Sequence, residues 1–511
     1  MKEYDLIVIG SGAGLTVLNE ALEQGLRCAL IESGKIGGTC LTRGCIPSKI
    51  LTSAADAVRA AERARKIGMS FRLEGVDWNV IASRMWSQID TGKEIAAQLS
   101  RIKTLALFRG TGEFTGRHQM RVRLPDGAYT EEFRGKRILI ASGSSPVVPP
   151  IDGIESAGYV TTDSFFGDRF PAKPWKSVIL VGGGFVAAEF AHIFSAFGTR
   201  VTIVAKHSRL LPKEEPEIGD LIGRVFGRRM TVLTGHLPVA ARADGRAKYI
   251  TVMDTSSQAT REIEADELFI CAGRRSNADA LRAGECGIAV DKKNRWVQTN
   301  QFLETSVPNI WAIGDANGLY PFRHKANREA DVCIRNMFGL PEEKTAVDYS
   351  AVPWAVYTDP TVGHVGLTED EAVRAGRRVY RAIKHYSAVA KGFALGYDTG
   401  EEDDGFAKII LDSSLRILGA HVVGPHADLL VQPFVYLMNA GYTCAVREKG
   451  RSKSRGADRR DKTRFNYACP GAGTVMPLFD SMVIHPSLNE VTGWALDALE
   501  PVNIMQSEER L

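Results

Sequence analysis

Cysteine is scarce in this chain, and other features that mark specialised classes of protein are missing. Only 8 of the 511 residues are cysteine, which is too few for a secreted scaffold held by disulfides. No apolar run in the sequence reaches the length of a membrane-spanning helix. The net charge of +4 is small for this length, so composition gives no general case for binding to nucleic acid or to a membrane.

No targeting segment is visible at the N-terminus, since the first five residues lead directly into a strand pattern. We therefore expect a cytoplasmic protein whose thiols stay reduced. The chain is too long for a single core, and two to four domains are expected. Its apolar and charged fractions, 44% and 24%, are typical of a globular protein.

Two of the few cysteines stand close together in a glycine-punctuated stretch at residues 37–49. Cys40 and Cys45 follow a glycine loop, and a proline two residues after Cys45 favours the first turn of a helix. A thiol near a helix N-terminus and beside cations such as Arg43 and Lys49 tends to have a lowered pKa, and the thiolate attacks disulfides. The spacing alone would favour two ordinary reduced cysteines. The flanking glycines and a nucleotide-binding loop upstream favour a redox pair instead.

A dinucleotide-binding fingerprint lies immediately upstream of the cysteines. The apolar run at 6–9 is typical of a buried parallel strand; a glycine turn, a helical pattern and a second strand at 28–31 follow it. Glu32 ends the second strand, where an acid holds an adenosine ribose, while loop amides and the helix N-terminus hold a pyrophosphate. Leu15 stands where the third glycine of the usual motif belongs. For the glycines alone, a plain tight turn is the alternative; they are Gly10, Gly12 and Gly14.

A second copy of the fingerprint begins at residues 177–181, with Gly182 and Gly184 in its loop and a second strand at 201–204. Two nucleotide folds in one chain are explained if the first holds a flavin and the second a nicotinamide, so that electrons cross the flavin to the cysteines. A degenerate duplicate that binds no ligand is the alternative.

The end of that second strand bears on the choice of dinucleotide. An acid at this position holds the ribose 2′-hydroxyl of NAD, whereas cations accept the 2′-phosphate of NADP. Residues 205–209 include no acid and carry Lys206. The pattern favours NADPH, the alternative being ordinary surface charge in a loop.

Together these segments resemble the flavin-dependent pyridine nucleotide–disulfide oxidoreductases. The cysteine stretch is similar to the redox signature of that family, residues 141–143 to its Ala-Thr-Gly segment, and residues 310–315 to its second flavin motif. His485 and Glu490 stand in a His-Pro…Glu pattern that resembles the acid–base pair of the family. The resemblance covers nearly the whole chain outside residues 447–464.

The resemblance implies an α/β fold with two Rossmann-like nucleotide-binding domains, for FAD and NAD(P), and a C-terminal α+β dimerisation domain. We expect an FAD-binding domain at 1–150, an NAD(P)-binding domain at 151–275, a return to the central FAD domain at 276–345 and the dimerisation domain at 346–511. Alternating apolar runs beyond residue 352 favour an antiparallel sheet in that last domain. A homodimer is expected.

The resemblance also implies chemical roles. Cys40 would exchange with the substrate disulfide, and Cys45 would lie against the flavin as a charge-transfer thiolate. His485 of the partner subunit would pass a proton to or from the leaving thiol, with Glu490 fixing its tautomer. Lys49 and Glu189 would form an ion pair near the flavin N5 and complete the catalytic set.

Cofactor-binding roles follow from the same resemblance. Asp315 would bind the ribityl chain of FAD, Phe185 would gate the entry of nicotinamide, and Lys206 would meet the 2′-phosphate of NADPH. No metal site is predicted. The other candidates are Gly10, Gly12, Gly14, Glu32, Gly38, Thr39, Lys49, Ser142, Gly143 and Gly314 for FAD, and Gly182, Gly184 and Gly273 for NAD(P).

The substrate is the least determined part of the prediction. Dihydrolipoamide dehydrogenase is the closest general match, supported by segments 45–49 and 324–326, and a 2-oxoacid dehydrogenase complex would then be a partner. Such enzymes usually use NAD, and no acid stands at residue 205. Mycothione reductase, which uses NADPH, is the runner-up and is similar at residues 326–330. Residues 502–511 lack cysteine, which fits mercuric reductases and cysteine-tailed thioredoxin reductases poorly.

The segment at residues 447–464 does not belong to the family pattern. It carries nine Lys or Arg and three Asp or Glu with almost no apolar residue, so it is too polar to fold alone and we expect a mobile surface insert. A solvated loop is the simplest interpretation, and a docking arm for an acidic partner is the alternative. A flavoprotein scaffold or nucleic-acid partner acting through this insert is the hypothesis from another class. The intact cysteine pair and the His-Glu pattern argue against that hypothesis as the main role.

Overall fold

A computed structural model of the chain describes residues 1–412, 416–449 and 481–486. Glu490 lies outside the described residues, and so does most of the basic segment 447–464. Only residues 447–449 of that segment are described, and they form the end of a helix rather than part of a loop. The predicted mobility of the rest stays a prediction.

Strands and helices alternate through most of the described chain. The strands are β1 (Lys2–Ile9), β2 (Cys28–Glu32), β3 (Leu105–Arg109), β4 (Thr111–Gly116), β5 (Gln119–Arg123), β6 (Phe133–Ile140), β7 (Ser144–Pro146), β8 (Ser177–Val181), β9 (Arg200–Ala205), β10 (Thr231–Thr234), β11 (His236–Asp244), β12 (Ala247–Asp254), β13 (Thr260–Ala265), β14 (Glu267–Ile270), β15 (Arg274–Ser276), β16 (Ile310–Ala312), β17 (Pro353–Val356), β18 (Val362–Gly366), β19 (Val379–His385), β20 (Phe406–Asp412) and β21 (Ile417–Val423). The helices are α1 (Gly14–Glu23), α2 (Gly38–Arg43), α3 (Cys45–Arg63), α4 (Trp78–Leu99), α5 (Ile154–Ala157), α6 (Thr162–Phe165), α7 (Phe185–Ala196), α8 (Pro216–Gly227), α9 (Arg323–Phe338), α10 (Glu369–Arg374), α11 (Ala390–Ala394) and α12 (Ala427–Lys449).

The first nucleotide-binding unit is built on a sheet whose parallel strands have the order β3–β2–β1–β6–β16. Leu6 of β1 pairs with Cys28 of β2, and the apolar residues that follow in both strands are buried. Such runs are expected where helices cover both faces of a parallel sheet. The hairpin β4–β5 extends the sheet by antiparallel pairing with the start of β6.

The second nucleotide-binding unit repeats this plan on a smaller scale. Its parallel sheet has the order β10–β9–β8–β14, and a three-stranded antiparallel sheet, β11–β12–β13, accompanies it. A short antiparallel ladder between β7 and β15 links the two units. Leu51 of α3 and Met85 of α4 share a buried core with Phe190 and Phe194 of α7. This packing brings the helix that begins at Cys45 against the first helix of the second unit.

The C-terminal unit is an antiparallel sheet of order β17–β18–β21–β20–β19, with α12 packed on it through Val431 and Val435. The alternating runs identified in the sequence correspond to β19, β20 and β21, so the antiparallel prediction is confirmed. The described chain therefore has the expected α/β class: two Rossmann-like units and a C-terminal α+β unit. Within the part of the chain that the structure describes, no helix combines the length and the apolar character needed to cross a bilayer.

Candidate active site

The cysteine pair lies at the junction of two helices. Cys40 is in α2, and Cys45 is the first residue of α3, with Gly44 between the helices. An added Cβ on Gly44 would lie 3.0 Å from the carbonyl oxygen of Thr39, so the turn is closely packed. Both sulfurs are free thiols in the structure and are hydrogen-bonded to each other. Cys40 and Cys45, five residues apart in the sequence, are therefore in direct contact in the structure.

The pKa values of the two thiols are shifted in opposite directions. The hydrogen bond from the Cys40 thiol and the positive charge of Lys49 together lower the pKa of Cys45 to about 6, against the effect of burial. The same hydrogen bond, together with burial, raises the pKa of Cys40 well above its ordinary value. In the reduced pair, Cys45 is therefore the thiolate and Cys40 is the proton donor.

His485 stands beside the outer cysteine. Its Nε2 lies 3.2 Å from Cys40 Sγ, within reach for proton transfer. His324, at the start of α9, accepts the backbone N–H of His485 at Nδ1 (3.4 Å), and its Nε2 lies 2.7 Å from the carbonyl oxygen of Pro353. Burial lowers the pKa of His324 to about 4, so this ring stays neutral and can accept that bond. The sequence patterns assign His324 no role beyond its place in the His-Lys-Ala segment at residues 324–326.

The resemblance placed the partner subunit's His485 at the cysteine, whereas in the structure His485 of the same chain lies there. Residues 481–486 are held in place by Gln432 of α12, which bonds the backbone of Met482 and Ile484. Tyr357 donates a hydrogen bond to the carbonyl oxygen of Pro486. A site shared by two subunits would require this segment to be exchanged between chains, and it stays a prediction. Glu490, the predicted orienting acid, lies outside the described residues.

Lys49 and Glu189 meet across the interface between α3 and α7. Lys49 Nζ donates to both carboxylate oxygens of Glu189, at 2.9 and 2.7 Å. Glu189 Oε1 also accepts the backbone N–H of Tyr357, and Lys49 Nζ lies 4.5 Å above the ring of that tyrosine. The pair therefore fixes the ammonium group next to Cys45, where its charge favours the thiolate.

The glycine loop of the first unit makes a narrow backbone crossing with the start of α2. A Cβ on Gly38 would lie 2.5 Å from Gly12 Cα, and Gly38 has a φ of +69°. A Cβ on Gly10 would lie 2.3 Å from the carbonyl oxygen of Ala141, at a φ of +100°. Both positions exclude side chains, which leaves loop amides accessible to a phosphate ligand.

The departure at Leu15 has a structural explanation. Gly14, one residue earlier, is where α1 meets the sheet, since a Cβ there would lie 2.7 Å from Val8 Cγ1 and 3.0 Å from Ala141 Cβ. The close helix–strand approach that the third glycine normally permits is made by Gly14. Leu15 is half-buried and packs against the same core.

Glu32 ends β2 beside the glycine loop, as its position in the sequence predicts. Its Oε2 accepts hydrogen bonds from the backbone N–H (2.8 Å) and hydroxyl (2.6 Å) of Ser11. Its Oε1 accepts the N–H of Gly34 at 2.7 Å. The carboxylate is thus held at the edge of the sheet where an adenosine ribose binds in this fold.

Asp315 and the turn at Ser142 and Gly143 lie on the other side of the same sheet edge. The hydroxyl of Ser144 donates to Asp315 Oδ2 at 2.7 Å, and Arg274 Nε lies 3.9 Å from the same oxygen. Gly143 has a φ of +67°. Ser142 Oγ is buried without a hydrogen-bond partner among the described residues, which leaves it open to a ligand.

A buried polar network, which sequence reasoning missed, holds the Gly314–Asp315 turn. Lys325 and Glu329 of α9 are both fully buried and lie 2.9 Å apart. Lys325 Nζ donates to the carbonyl oxygen of Gly314 and to Asn317 Oδ1, at 3.1 and 2.7 Å. Glu329 accepts the N–H of Gly314, the amide of Asn317 and the hydroxyl of Tyr349. Their i, i+4 spacing was visible in the sequence, but their burial was not.

Arg323 is a second residue that sequence reasoning missed. Its Nη1 lies 4.0 Å from the position of a Cβ on Gly12, so the guanidinium faces the glycine loop. Its positive charge also acts on Cys40, whose pKa it lowers against the stronger effects of the Cys45 hydrogen bond and burial. Arg323 therefore places a cation between the loop and the thiols.

The second glycine loop has the shape that a dinucleotide requires. Gly182 has a φ of +144°, and a Cβ there would lie 2.3 Å from the carbonyl oxygen of Cys271. Gly184 caps α7 and faces open space, as does Gly273, which has a φ of +123°. Phe185 opens α7 with 38% of its surface exposed, and its ring lies 6.0 Å from that of Phe322.

Lys206 is exposed immediately after the end of β9. The last residue of the strand is Ala205, which approaches the loop closely, since a Cβ on Gly183 would lie 2.8 Å from Ala205 Cβ. Arg209, the next cation, pairs with Asp220 at 2.6 Å. Contact between Lys206 and a group on the adenosine ribose stays a prediction.

Comparison with protein families identifies the chain. The sequence model described as pyridine nucleotide-disulphide oxidoreductase matches residues 4–330, and the dimerisation domain of the same family matches residues 352–449. The chain belongs to this family. It is accordingly an oxidoreductase that uses FAD and NAD(P)H.

Individual relatives of this oxidoreductase carry two different names. A mycothione reductase of Mycobacterium tuberculosis is 34% identical over 461 residues, which cover 88% of this chain and 96% of the relative. A dihydrolipoyl dehydrogenase of Chlamydia muridarum is 29% identical over 508 residues, covering 98% and 97%. A solved structure, the HOCl-induced flavoprotein disulfide reductase RclA from Escherichia coli, superimposes with a TM-score of 0.72 at 25% identity, covering 89% of this chain and 97% of that one.

The described residues of the oxidoreductase fit FAD. The crossing at Gly12 and Gly38 leaves no room for a Cβ but exposes backbone amides, and Ser142 Oγ offers an unused polar atom. Asp315 and Glu32 offer carboxylates that can accept hydrogen bonds from hydroxyl groups. The set of donors and acceptors matches a ligand with a pyrophosphate between two polyhydroxylated parts.

A cavity of about 750 Å³ opens beside the cysteine pair of the oxidoreductase. Its lining contains both apolar and polar side chains, with one arginine. Lys49 and Pro486 also line the cavity, so a molecule bound there would lie next to the reactive sulfurs. The apolar lining residues are Ile46, Ile50, Ala54 and Ile81, and the polar ones include Ser53, Arg84, Ser87 and Gln88.

Proposed function

We propose that this oxidoreductase reduces a low-molecular-weight disulfide at the expense of NADPH. The observation that carries the proposal is the placement of Cys40 between His485 and Cys45, with Lys49 beside the inner sulfur. One cysteine is a thiol with a proton acceptor at 3.2 Å, and the other is a thiolate. This is the arrangement that thiol–disulfide exchange needs.

The proposed exchange begins at Cys40. His485 Nε2 takes the thiol proton, and Cys40 Sγ attacks one sulfur of the substrate disulfide. The substrate S–S bond breaks, a mixed disulfide with Cys40 forms, and the leaving thiolate receives the proton from His485. The high pKa of Cys40 makes this base necessary.

Cys45 completes the exchange. Its thiolate, stabilised by the charge of Lys49, attacks Cys40 Sγ, so that the second substrate thiol leaves and a Cys40–Cys45 disulfide forms. Bound FAD supplies the two-electron link between NADPH and this disulfide. Lys49 is held in position throughout by its two bonds to Glu189.

The preference for NADPH rests on the end of β9. Ala205 ends the strand where NAD-binding proteins carry an acid, and Lys206 is exposed beside it. The mycothione reductase relative supports a disulfide of that class as the substrate.

Dihydrolipoyl dehydrogenase is the second candidate. The apolar side chains that line the cavity, Ile46, Ile50 and Ile81, suit the aliphatic chain of a lipoyl group. Relatives with that name also match the chain over 98% of its length. Under this assignment the reaction would run toward the disulfide, and a 2-oxoacid dehydrogenase complex would be the partner.

A steady-state comparison tests the proposal. NADH and NADPH are each paired with the disulfide of mycothiol, lipoamide and glutathione disulfide, and kcat/KM is measured for all six combinations. We expect NADPH with the mycothiol disulfide to be fastest, by at least about tenfold over NADH. Highest turnover with lipoamide and NADH would instead support the second candidate. Disulfide turnover with none of the six pairs would contradict the proposed substrate class.

We propose further that two chains form a homodimer in the cytoplasm, through the unit at residues 346–511. The match of the family's dimerisation domain to residues 352–449 supports the homodimer. Exposed apolar side chains on α12, Leu430 and Leu437, offer a surface that a second chain would cover. The boundaries 1–150, 151–275 and 276–345 are proposed for the remaining domains.

A further inference from the structure

A cluster of two histidines and a glutamate lies between the second nucleotide-binding unit and the C-terminal sheet. Glu214 belongs to the loop between β9 and α8, while His364 and His421 face each other on the neighbouring strands β18 and β21. The exposed fractions of the three side chains are 3%, 1% and 0%. The cluster lies outside the residues that take part in the proposed exchange, so its chemistry requires a separate explanation.

The backbone fixes one nitrogen of each imidazole. His364 Nε2 lies 3.0 Å from the carbonyl oxygen of Gly366, and His421 Nε2 lies 3.0 Å from that of Leu367. Carbonyl oxygens only accept hydrogen bonds, so both Nε2 atoms carry a proton. In the neutral rings both Nδ1 atoms are therefore left with a lone pair.

The two Nδ1 atoms converge on each other and on a carboxylate. They are 3.1 Å apart, and His364 Nδ1 lies 2.9 Å from Glu214 Oε2. One ligand atom from each of the three residues lies within 4.8 Å of the other two. Three lone pairs at such separations repel one another unless a cation lies between them. That cation is either one extra proton or a metal ion.

The geometry is close to that of a metal site. Bonds of about 2.0–2.1 Å from a tetrahedral ion place two ligands about 3.3 Å apart. The observed separations of 2.9 and 3.1 Å would need to open by only a few tenths of an ångström. Imidazole nitrogen together with carboxylate oxygen suits Zn²⁺, Cu²⁺ and Ni²⁺.

The surroundings have the hydrogen bonds that usually support a metal centre. Each histidine donates its other ring N–H to a backbone carbonyl, which is the common outer contact of metal-bound histidine. Trp354 Nε1 donates to Glu214 Oε1, so the second oxygen of the carboxylate is already held. Glu215 lies 3.6 Å from His421 Nε2 and is itself paired with the buried Lys408.

We propose that Glu214, His364 and His421 form a binding site for a divalent transition-metal ion such as Zn²⁺, which joins the second nucleotide-binding unit to the C-terminal sheet. The ion would take one oxygen and two nitrogens from the chain, with the fourth position open to a water molecule. That the ion joins the two units follows from the positions of its ligands. The glutamate and the histidines belong to different units and come together only when these units are packed against each other.

Metal analysis of the intact FAD-containing protein, without a purification tag, tests this site. The protein is kept oxidised so that the Cys40–Cys45 disulfide cannot bind metal, stripped with a chelator, equilibrated with Zn²⁺ and analysed by mass spectrometry. We expect one Zn²⁺ for each chain, and at least about tenfold weaker binding in His364→Gln. His385→Gln, which alters a half-exposed histidine of the same sheet paired with Asp404, should bind as the wild type does.

Two results would overturn the metal site. If the wild type retains no Zn²⁺, or if His364→Gln binds it as tightly, a proton shared by the cluster provides the missing positive charge. Should His364→Gln fail to retain FAD, X-ray absorption at the zinc edge of the wild type decides instead. A shell of nitrogen and oxygen with imidazole scattering is expected, whereas sulfur scattering would place the ion at the cysteines.

Discussion

Lys49 and His485 act on different cysteines of the pair. Lys49 acts on Cys45, whose pKa falls to about 6, while Cys40 keeps its proton and, in the proposed exchange, loses it to His485. The arrangement avoids two thiolates side by side, which would repel each other. Each residue therefore has a separate spectroscopic or kinetic signature.

Replacing Lys49 by Met should raise the pKa of Cys45. The wild-type thiolate is present above about pH 6 and is lost as the pH falls through that value. Without the ammonium group, and with Glu189 left unpaired, the midpoint should move up by about one unit or more. A pH titration of thiolate absorbance in the reduced enzyme measures it. Lys93→Met, which removes an exposed lysine paired with Asp90, is the control, and an equal shift there would refute a specific role for Lys49.

Replacing Lys206 by Glu should change the choice of dinucleotide. An acid would repel the 2′-phosphate of NADPH but could bind the 2′-hydroxyl of NADH. We expect KM for NADPH to rise by about tenfold with little change for NADH. Arg209→Gln, which alters a cation already paired with Asp220, should have a smaller effect on both. Unchanged KM for NADPH in Lys206→Glu would exclude contact with the 2′-phosphate.

Sequence reasoning found the residues that stand in local patterns and missed those that long-range packing brings together. Glu32 could be predicted because it directly follows a strand after a glycine turn. His364 and Glu214 are 150 residues apart, and their contact depends on how two units pack. The burial of Lys325 likewise cannot be deduced from a helix whose sequence is mainly polar.

At the scale of elements, the start of α2 and the first glycine loop depend on each other. A methyl group on Gly38 would lie 2.5 Å from Gly12 Cα, at a φ that only glycine adopts readily. Gly38→Ala should therefore separate α2 from the loop and reduce the FAD content of purified protein to less than about half. Gly75→Ala has open space around it and should keep full FAD content. Normal flavin absorbance in Gly38→Ala would show that the crossing is not needed for binding.

The N-terminal half of α9 acts as a support for the Gly314–Asp315 turn. Lys325→Met would leave Glu329 buried without its cation, at a cost of about 3–5 kcal/mol in the free energy of unfolding. Thermal unfolding should show the loss, and FAD should dissociate faster because Lys325 no longer donates to the carbonyl oxygen of Gly314 and to Asn317 Oδ1. The double variant Lys325→Met/Glu329→Leu should be less destabilised than the single one. Additive losses would argue against a coupled pair.

On the scale of the whole molecule, the order of units could be predicted because each begins with its own pattern. Two fingerprints and a later set of alternating runs define two Rossmann-like units and an antiparallel sheet, and the structure contains all three. The sequence does not specify which chain supplies His485 to a given Cys40, because no local pattern records whether a contact is made within or between chains.

Mixing two inactive variants tests whether subunits share the site. Cys40→Ser and His485→Gln should each lose disulfide turnover by roughly two to four decades. If the segment at 481–486 is exchanged in the dimer, unfolding and refolding the two variants together should restore up to about a quarter of wild-type activity, since the mixed dimer contains one intact site. We expect this recovery. Its absence would mean that each chain uses its own His485, as the single chain does.

We propose that Cys45 is the thiolate that lies against the flavin, and that Cys40 is the thiol that exchanges with the substrate disulfide. Anaerobic reduction of the enzyme by NADPH, followed by measurement of its absorbance at long wavelength, tests the assignment of the two cysteines. We expect a thiolate–flavin band in the wild type. The band should survive in Cys40→Ser, where turnover is lost, and disappear in Cys45→Ser. Identical spectra for the two variants, or a band retained only in Cys45→Ser, would contradict the assignment.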